Sequence, residues 1–285
     1  MAKIIIMSGL PASGKSTAAQ ALLNGGGNFV RLNKDLLRTM LHFDKFNHTN
    51  EGHTWNAEVS LAVFFLTSNI NVVIDDTNLN PKTMQRWKDL AKQLDVKIQY
   101  ADMDVGVEEC IERDSKREKR VGKHVIEKMA LQYKGYLKGE RVIICDLDGT
   151  MCNIDHRLHF VQGEKKDWDS FFNNMMSDTP REEVKSEVIS ARLDGCKIIF
   201  VSARPEKYRE VTMEWLRYHV GLEEYSLIMR ENGDSRPDKV VKAEIYDKYL
   251  KHLTILKIYD DRPSVIRMWR EKGLNVIDVG KGIEF

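Results

Sequence analysis

Long hydrophobic runs are missing from this 285-residue chain. No segment reaches the roughly 18 uninterrupted apolar residues of a membrane-crossing helix, so no membrane partner is expected. Cysteine is scarce: Cys110, Cys145, Cys152 and Cys196 form no CxxC pair. That pattern argues against a zinc site or a disulfide framework and points to a reducing, cytoplasmic setting. An excess of charge is also absent, with 44 Lys and Arg against 43 Asp and Glu. Attraction to a polyanion must then come from local basic patches and not from a global field. There is no internal repeat and no low-complexity tract. The opening "MAKIIIMSGLPASG" runs straight into a glycine-lysine loop and does not read as a signal peptide.

What is there is 42% hydrophobic content and a length that suits two domains of roughly 100 to 200 residues each. Short apolar runs alternate with helical patterns throughout, which predicts an α/β fold with βα units around parallel sheets. "KIIIMSG", "NVVIDDTN" and "VKIQYADMD" read as strands of a first half; "VIICDLDGT", "KIIFVSAR", "YSLIMR", "TILKIYDD" and "LNVIDV" read as strands of a second. "STAAQALL" is a helix that stops at Asn24-Gly25-Gly26-Gly27. Asn80-Pro81 opens another, with Met84, Trp87, Leu90, Ala91 and Leu94 on one face. Val125, Met129, Tyr133 and Leu137 predict a helix ahead of a boundary near Gly139, giving domains 1–139 and 140–285.

Gly9 to Ser16 matches GxxxxGK[ST] between a strand and a helix. Backbone N–H groups of Gly9, Ser13, Gly14, Lys15, Ser16 and Thr17 can cradle a polyphosphate, Lys15 can reach its outer phosphates, and Ser16 can hold Mg²⁺. Asp35 and Arg38, three apart on a predicted helix, can take the proton of an incoming hydroxyl and fix a phosphate on the acceptor, or can simply be a surface ion pair. Asp75 and Asp76 close a strand at its carboxyl end, where ligands gather in open sheets; Asp76 can serve Mg²⁺ or the acceptor, or cap the next helix. Arg113, Arg117 and Arg120 recur at helical spacing, either as a lid over the phosphates or as a solvated helix face.

In "VIICDLDGT" Asp146 and Asp148 stand two apart at a strand end, so both can face one substrate. Asp146 can attack a phosphoryl group to give an aspartyl-phosphate, and Asp148 can protonate the leaving oxygen and then activate water. Gly149 permits the turn and Thr150 can hydrogen-bond phosphate. Ser202 and Arg204 in "VSARP" can hold phosphate oxygens, Lys242 can offset charge at the nucleophile, and Asp260 and Asp261 in "YDDR" can join Asp146 and Asp148 around Mg²⁺. Each is ordinary alone; the ordered set is not.

"DLDGT", "VSAR", Lys242 and "YDDR" resemble the four motifs of the haloacid-dehalogenase phosphohydrolases. The order of P-loop kinase and then DxDGT phosphatase resembles the polynucleotide kinase-phosphatases of phages, which heal broken RNA or DNA ends, and the likeness covers nearly the whole chain. It implies ATP or another nucleoside triphosphate as donor, Asp35 as general base for a 5′-hydroxyl, Arg38 on the acceptor phosphate, and Arg117 in a lid. It implies Asp146 as nucleophile, Asp148 as acid-base, Ser202 and Arg204 on phosphate, and Asp260 and Asp261 around Mg²⁺. It further implies a homo-oligomer working with a ligase on RNA or DNA ends, in a host cytoplasm if phage-encoded. Two features depart from the pattern. Ala203 stands where glycine is expected, and residues 151–180, with His156, Arg157, His159, Lys165, Lys166, Trp168 and Phe171, match nothing and are a candidate cap. His156 and His159 are read as surface or cap residues. The competing readings are a small-molecule kinase fused to a metabolite phosphatase, and a nucleotide-gated regulator with decayed catalysis.

Overall fold

The computed structural model describes residues 2–162 and 164–284, and the chain divides into two compact units, residues 1–133 and 134–285. In the first, strands β1 (Lys3–Ser8), β2 (Phe29–Leu32), β3 (Asn71–Ile74) and β4 (Lys97–Asp102) form a parallel sheet ordered β2-β3-β1-β4. Ile4, Ile5, Ile6 and Met7 are all buried. Helices cover both faces of a parallel sheet, so its inner strands read as continuous apolar runs and do not alternate. The helices are α1 (Lys15–Asn24), α2 (Lys34–His42), α3 (His48–Thr67), α4 (Pro81–Gln93), α5 (Val107–Ser115) and α6 (Lys123–Tyr133). The Asn80 side chain caps α4 by accepting from Lys82 N–H at 2.9 Å. Trp87 and Ala91 are buried in the core, with Met84, Leu90 and Leu94 packed against it.

Two elements escape the sequence patterns. β2 is four residues of mixed character. The buried stripe of the 20-residue α3 is Thr54, Glu58, Ala62 and Leu66, so half of its core face is polar. Two expectations need correcting. α6 ends at Tyr133, and Leu137 sits in a turn at φ 61. Arg113, Arg117 and Arg120 do not share a helix: α5 stops at Ser115, and only Arg113 is on it. The cause is the buried Asp114 carboxylate, which accepts from Val121 N–H at 3.2 Å and Gly122 N–H at 2.9 Å and so wraps the chain around itself.

The second unit begins with β5 (Arg141–Cys145). The short strands β6 (Cys152–Asn153) and β7 (Thr179–Pro180) pair antiparallel and bracket the segment that carries α7 (Trp168–Asn173). Then come α8 (Glu182–Leu193), β8 (Lys197–Pro205), α9 (Arg209–His219), β9 (Ser226–Arg230), α10 (Asp238–Ile245), β10 (Thr254–Asp260), α11 (Pro263–Glu271) and β11 (Val276–Asp278). The sheet is parallel, ordered β11-β10-β5-β8-β9, with β5 at its centre. Val161, Phe171, Phe172 and Met175 of the bracketed segment belong to the same core as Leu147, Phe200 and Trp215. All four cysteines are buried, and none forms a disulfide among the described residues. Among the described residues no helix is long and apolar enough to cross a membrane.

Candidate active sites

Both constellations lie where a central strand ends. After β1 the chain turns through Gly9 to Gly14, which adopts φ 98 directly ahead of α1. That left-handed conformation suits glycine. No side chain caps α1, so its first N–H groups are available to an anion. Lys15 is buried, and its ammonium donates to the carbonyls of Gly9 at 3.0 Å and Leu10 at 2.7 Å. Burial lowers its pKa, and Asp75 opposes that. Ser16 and Thr17 line the adjoining cavity of about 940 Å³, together with Asp35, Arg38, Arg113 and Arg117.

Asp35 is 83% exposed and accepts from Arg38 Nη1 at 2.7 Å. Arg38 also grips Glu51 of α3 through Nε and through Nη2, the latter at 3.0 Å, and these hydrogen bonds hold its guanidinium firmly charged. Asp75 pairs with Arg31 at 2.6 Å. Asp76 accepts from Lys34 N–H at 3.0 Å, at the start of α2. Beside it lies Glu58, which burial foremost, and the Asp76 charge next, push up to about 9.

After β5, Asp146, Asp260 and Asp261 offer carboxylate oxygens within 4.8 Å of one another. Two of them meet at one ammonium: Lys242 Nζ lies 2.8 Å from Asp146 Oδ1 and 2.8 Å from Asp260 Oδ2, and Trp269 Nε1 donates to Asp260 at 3.2 Å. Burial, together with Asp260 and Asp261, pushes the Asp146 carboxyl up against the pull of Lys242. Burial tends to lower the Lys242 pKa, but the two carboxylates outweigh it and raise it. Three clustered carboxylates with one ammonium between two of them are hard oxygen donors with negative charge to spare, which fits Mg²⁺. A side chain at Gly149 (φ 82) would overlap the Asp261 carboxylate, so the turn admits only glycine. Thr150 Oγ1 donates to Asp261 at 3.1 Å, and the Ser202 hydroxyl accepts from Arg204 N–H at 3.2 Å.

Asp148, expected among the metal ligands, stands outside that cluster. Its carboxylate is taken by Arg204, at 2.6 Å through Nη2 and 2.9 Å through Nε, and by Arg157. Burial would raise its pKa, but the two guanidiniums outweigh it and hold the carboxyl well below the usual range. Both arginines are fully buried and share Asp178 as a second partner.

The sequence profile of the polynucleotide kinase PNKP phosphatase domain matches residues 140–284, more than half of the chain. This chain belongs to that family. An AAA-domain profile matches residues 4–136, ahead of the PNKP-family half. A protein provisionally named bifunctional polynucleotide kinase/RNA ligase, from Autographa californica nuclear polyhedrosis virus, is 26% identical over 94% of this chain and 41% of its own length. A bifunctional polynucleotide phosphatase/kinase of Schizosaccharomyces pombe is 28% identical over 34% of this chain and 20% of its own. The chain thus spans less than half the length of either curated relative. A chain in the structure of the Pnkp1/Rnl/Hen1 RNA repair complex is 25% identical, with 99% of this chain and 97% of that one covered and a TM-score of 0.44.

Sequence patterns miss several partners of the PNKP-family site and its neighbour. Glu51 and Glu58 lie on the unrecognised α3. Arg157 looked like a cap residue, yet it is buried, with the Phe171 ring centroid 4.1 Å from its guanidinium carbon. Its partner Asp178 is 21 residues away, and no local pattern joins the two. His156 Nε2 lies 2.9 Å from Asp178, and His159 stacks on Phe160 at 4.0 Å, so neither joins a metal cluster among the described residues.

Proposed function

We propose that this chain is a bifunctional end-healing enzyme that phosphorylates 5′-hydroxyl ends of RNA or DNA with ATP and removes 3′-phosphates. Residues 1–139 carry the kinase and 140–285 the phosphatase, with 151–180 as a small cap. The observation that carries this reading is the set of Asp146, Asp260 and Asp261 at strand ends, joined by Lys242 of α10, within the PNKP-family half of a chain that also has a P-loop.

In the kinase half, Lys15 leaves the loop carbonyls for the donor phosphates, while the loop N–H groups and Arg113 and Arg117 hold them. Asp35 takes the proton of the acceptor hydroxyl as its oxygen bonds to the γ-phosphorus and the β–γ bridge breaks. Arg38, braced by Glu51, holds a phosphate of the acceptor. Asp76 and Ser16 face the same cavity.

In the phosphatase half, an Asp146 oxygen attacks the phosphorus, the bond to the 3′-oxygen breaks, and an aspartyl-phosphate forms. Lys242 opposes the burial that raises the Asp146 pKa and so favours the ionised, nucleophilic form. Arg157 and Arg204, which clasp Asp148, exchange it for the incoming phosphate, with Ser202 and Thr150 beside them. Freed from two cations and still buried, Asp148 rises in pKa, takes up a proton from solvent and gives it to the leaving oxygen; it later accepts a proton from the water whose oxygen bonds to phosphorus as the bond to Asp146 breaks and phosphate leaves. Asp146, Asp260 and Asp261 would hold Mg²⁺, which would supply positive charge against the phosphoryl oxygens.

The products, a 5′-phosphate and a 3′-hydroxyl, are what a ligase consumes, so a ligase is the natural partner. Self-association and a cytoplasmic setting complete the reading. Its test is mass spectrometry of a short oligonucleotide with a 5′-hydroxyl and a 3′-phosphate, incubated with protein, ATP and Mg²⁺. One phosphate should be gained at the 5′ end and one lost at the 3′ end. An oligonucleotide unchanged at both ends, while a sugar or nucleoside is phosphorylated, refutes the reading.

A further inference from the structure

Beside the acceptor side of the first cavity, the surface carries more apolar area than the fold requires. Phe43 is 86% exposed and Phe46 74% exposed. Leu36 and Met40, four apart on α2 and so on one side of it, are exposed as well. Phe43 caps the end of α2 at φ 49 and Asp44 follows at φ 62, two consecutive residues in the left-handed region that glycine or asparagine normally fills. A phenylalanine there strains the backbone, and its ring, standing in solvent, gains no burial to offset the cost. Such an uncompensated outlier points to a functional demand.

Charge says what the rings meet. The Arg38 guanidinium lies 5.5 Å from the centroid of the Phe46 ring, which joins the apolar patch to the cavity. Leu36 and Asp44 line the cavity itself, along with Lys34, Arg38, Arg117, Lys119 and Arg120. A stripe of cations leading onto exposed aromatic rings is the combination that holds single-stranded nucleic acid: the cations track phosphates and the rings stack bases.

We infer that Phe43 and Phe46 form a stacking platform for unpaired bases of the acceptor strand, beyond the nucleotide whose 5′-hydroxyl reaches Asp35. The inference rests on the end-healing reading of this site and adds a substrate preference to it. Bases within a duplex have their faces covered by neighbours and cannot use the rings, so a single-stranded 5′ end is the favoured acceptor. Stacking tolerates any base, so the preference concerns strandedness and not sequence.

The test compares 5′-phosphorylation of three acceptors by the full chain: a nucleoside 3′-monophosphate, a single-stranded pentanucleotide, and a blunt duplex with the same 5′ sequence. The wild-type protein should favour the pentanucleotide. In Phe43→Ala/Phe46→Ala the ratio of kcat/KM for pentanucleotide over mononucleotide should fall about tenfold or more, through KM, and the advantage over the duplex should disappear. Phe43→Trp should keep that ratio, and its indole fluorescence should be quenched by the pentanucleotide. An unchanged ratio in the double variant overturns the inference, as does a lowered sedimenting mass with an unchanged ratio, which would make the rings an interface between copies. Absence of transfer to all three acceptors by the wild-type protein overturns the end-healing reading and this inference with it, and so separates the two failures.

Discussion

Asp35, in the first half, is 83% exposed and pairs with the side chain of Arg38, while Asp148, in the second, is 14% exposed and bound by two arginines that are fully buried. The same contrast runs through both sites. The kinase-like cavity is roomy, its lysine folded onto loop carbonyls and its arginines half-exposed. The phosphatase-like site has nearly every charged group already in contact with an opposite charge. The first is an arrangement that its ligands complete; the second is assembled by the fold and must loosen to admit a phosphate. Substitutions in the first should therefore cost activity alone, and those in the second should cost activity and stability together.

The largest effect should come from separating the halves. Asp146→Asn should lower 3′-phosphate removal by on the order of 10³-fold or more and leave 5′-phosphorylation intact, with Lys15→Ala doing the reverse. End-group analysis of a doubly reporting oligonucleotide checks both, and a variant that silences both activities would break the division. Next, Asp35→Asn should reduce kcat for 5′-phosphorylation by about 10²- to 10⁴-fold with nucleotide affinity unchanged, read by steady-state kinetics beside calorimetric titration of ATP.

Stability should then sort the halves. Arg204→Ala leaves the two carboxylates Asp148 and Asp178 with Arg157 as their shared guanidinium in the core and should destabilise the second half by about 3 to 5 kcal/mol. Arg38→Ala, where the guanidinium and its Glu51 partner are only partly covered, should cost less, about 1 to 2 kcal/mol. Chemical denaturation measures both, and equal losses would erase the contrast.

The smallest effect concerns pH. Glu58 has a folded pKa raised to about 9, so above the ordinary carboxylate range the folded chain keeps a proton that the unfolded chain has released. Stability from this group is therefore lost as pH rises towards 9. Glu58→Gln should flatten the alkaline fall in melting temperature. Asp148 works the other way: its folded pKa is lowered, so it stabilises at neutral pH, and that stability is lost as pH falls below the ordinary carboxylate range. Calorimetry across pH on wild type and Glu58→Gln reads the slopes.

Legibility from sequence followed the length of the physical period. The buried strands β1, β3, β5 and β8 announce themselves as apolar runs, and both strand-end motifs are contiguous, so their placement needs no tertiary information. α3 was hidden because Thr54 and Glu58 interrupt its core stripe, and with it went Glu51, the brace of Arg38. The three arginines at helical spacing misled, because a single buried carboxylate, Asp114, overrode helix propensity at Lys116. Arg157 and Asp178 form a pair that exists only through tertiary closure, and neither residue type nor spacing foretells it.

The buried thiols offer an experimental handle of their own. Cys110 lies in the first unit, and Cys145, Cys152 and Cys196 in the second, all out of reach of a labelling reagent while the fold is closed. Burial raises the pKa of Cys145 and Cys152, which slows their reaction further. The rate at which each is alkylated in native buffer then clocks the transient opening of its own half, resolved residue by residue by peptide mapping and without any engineered probe.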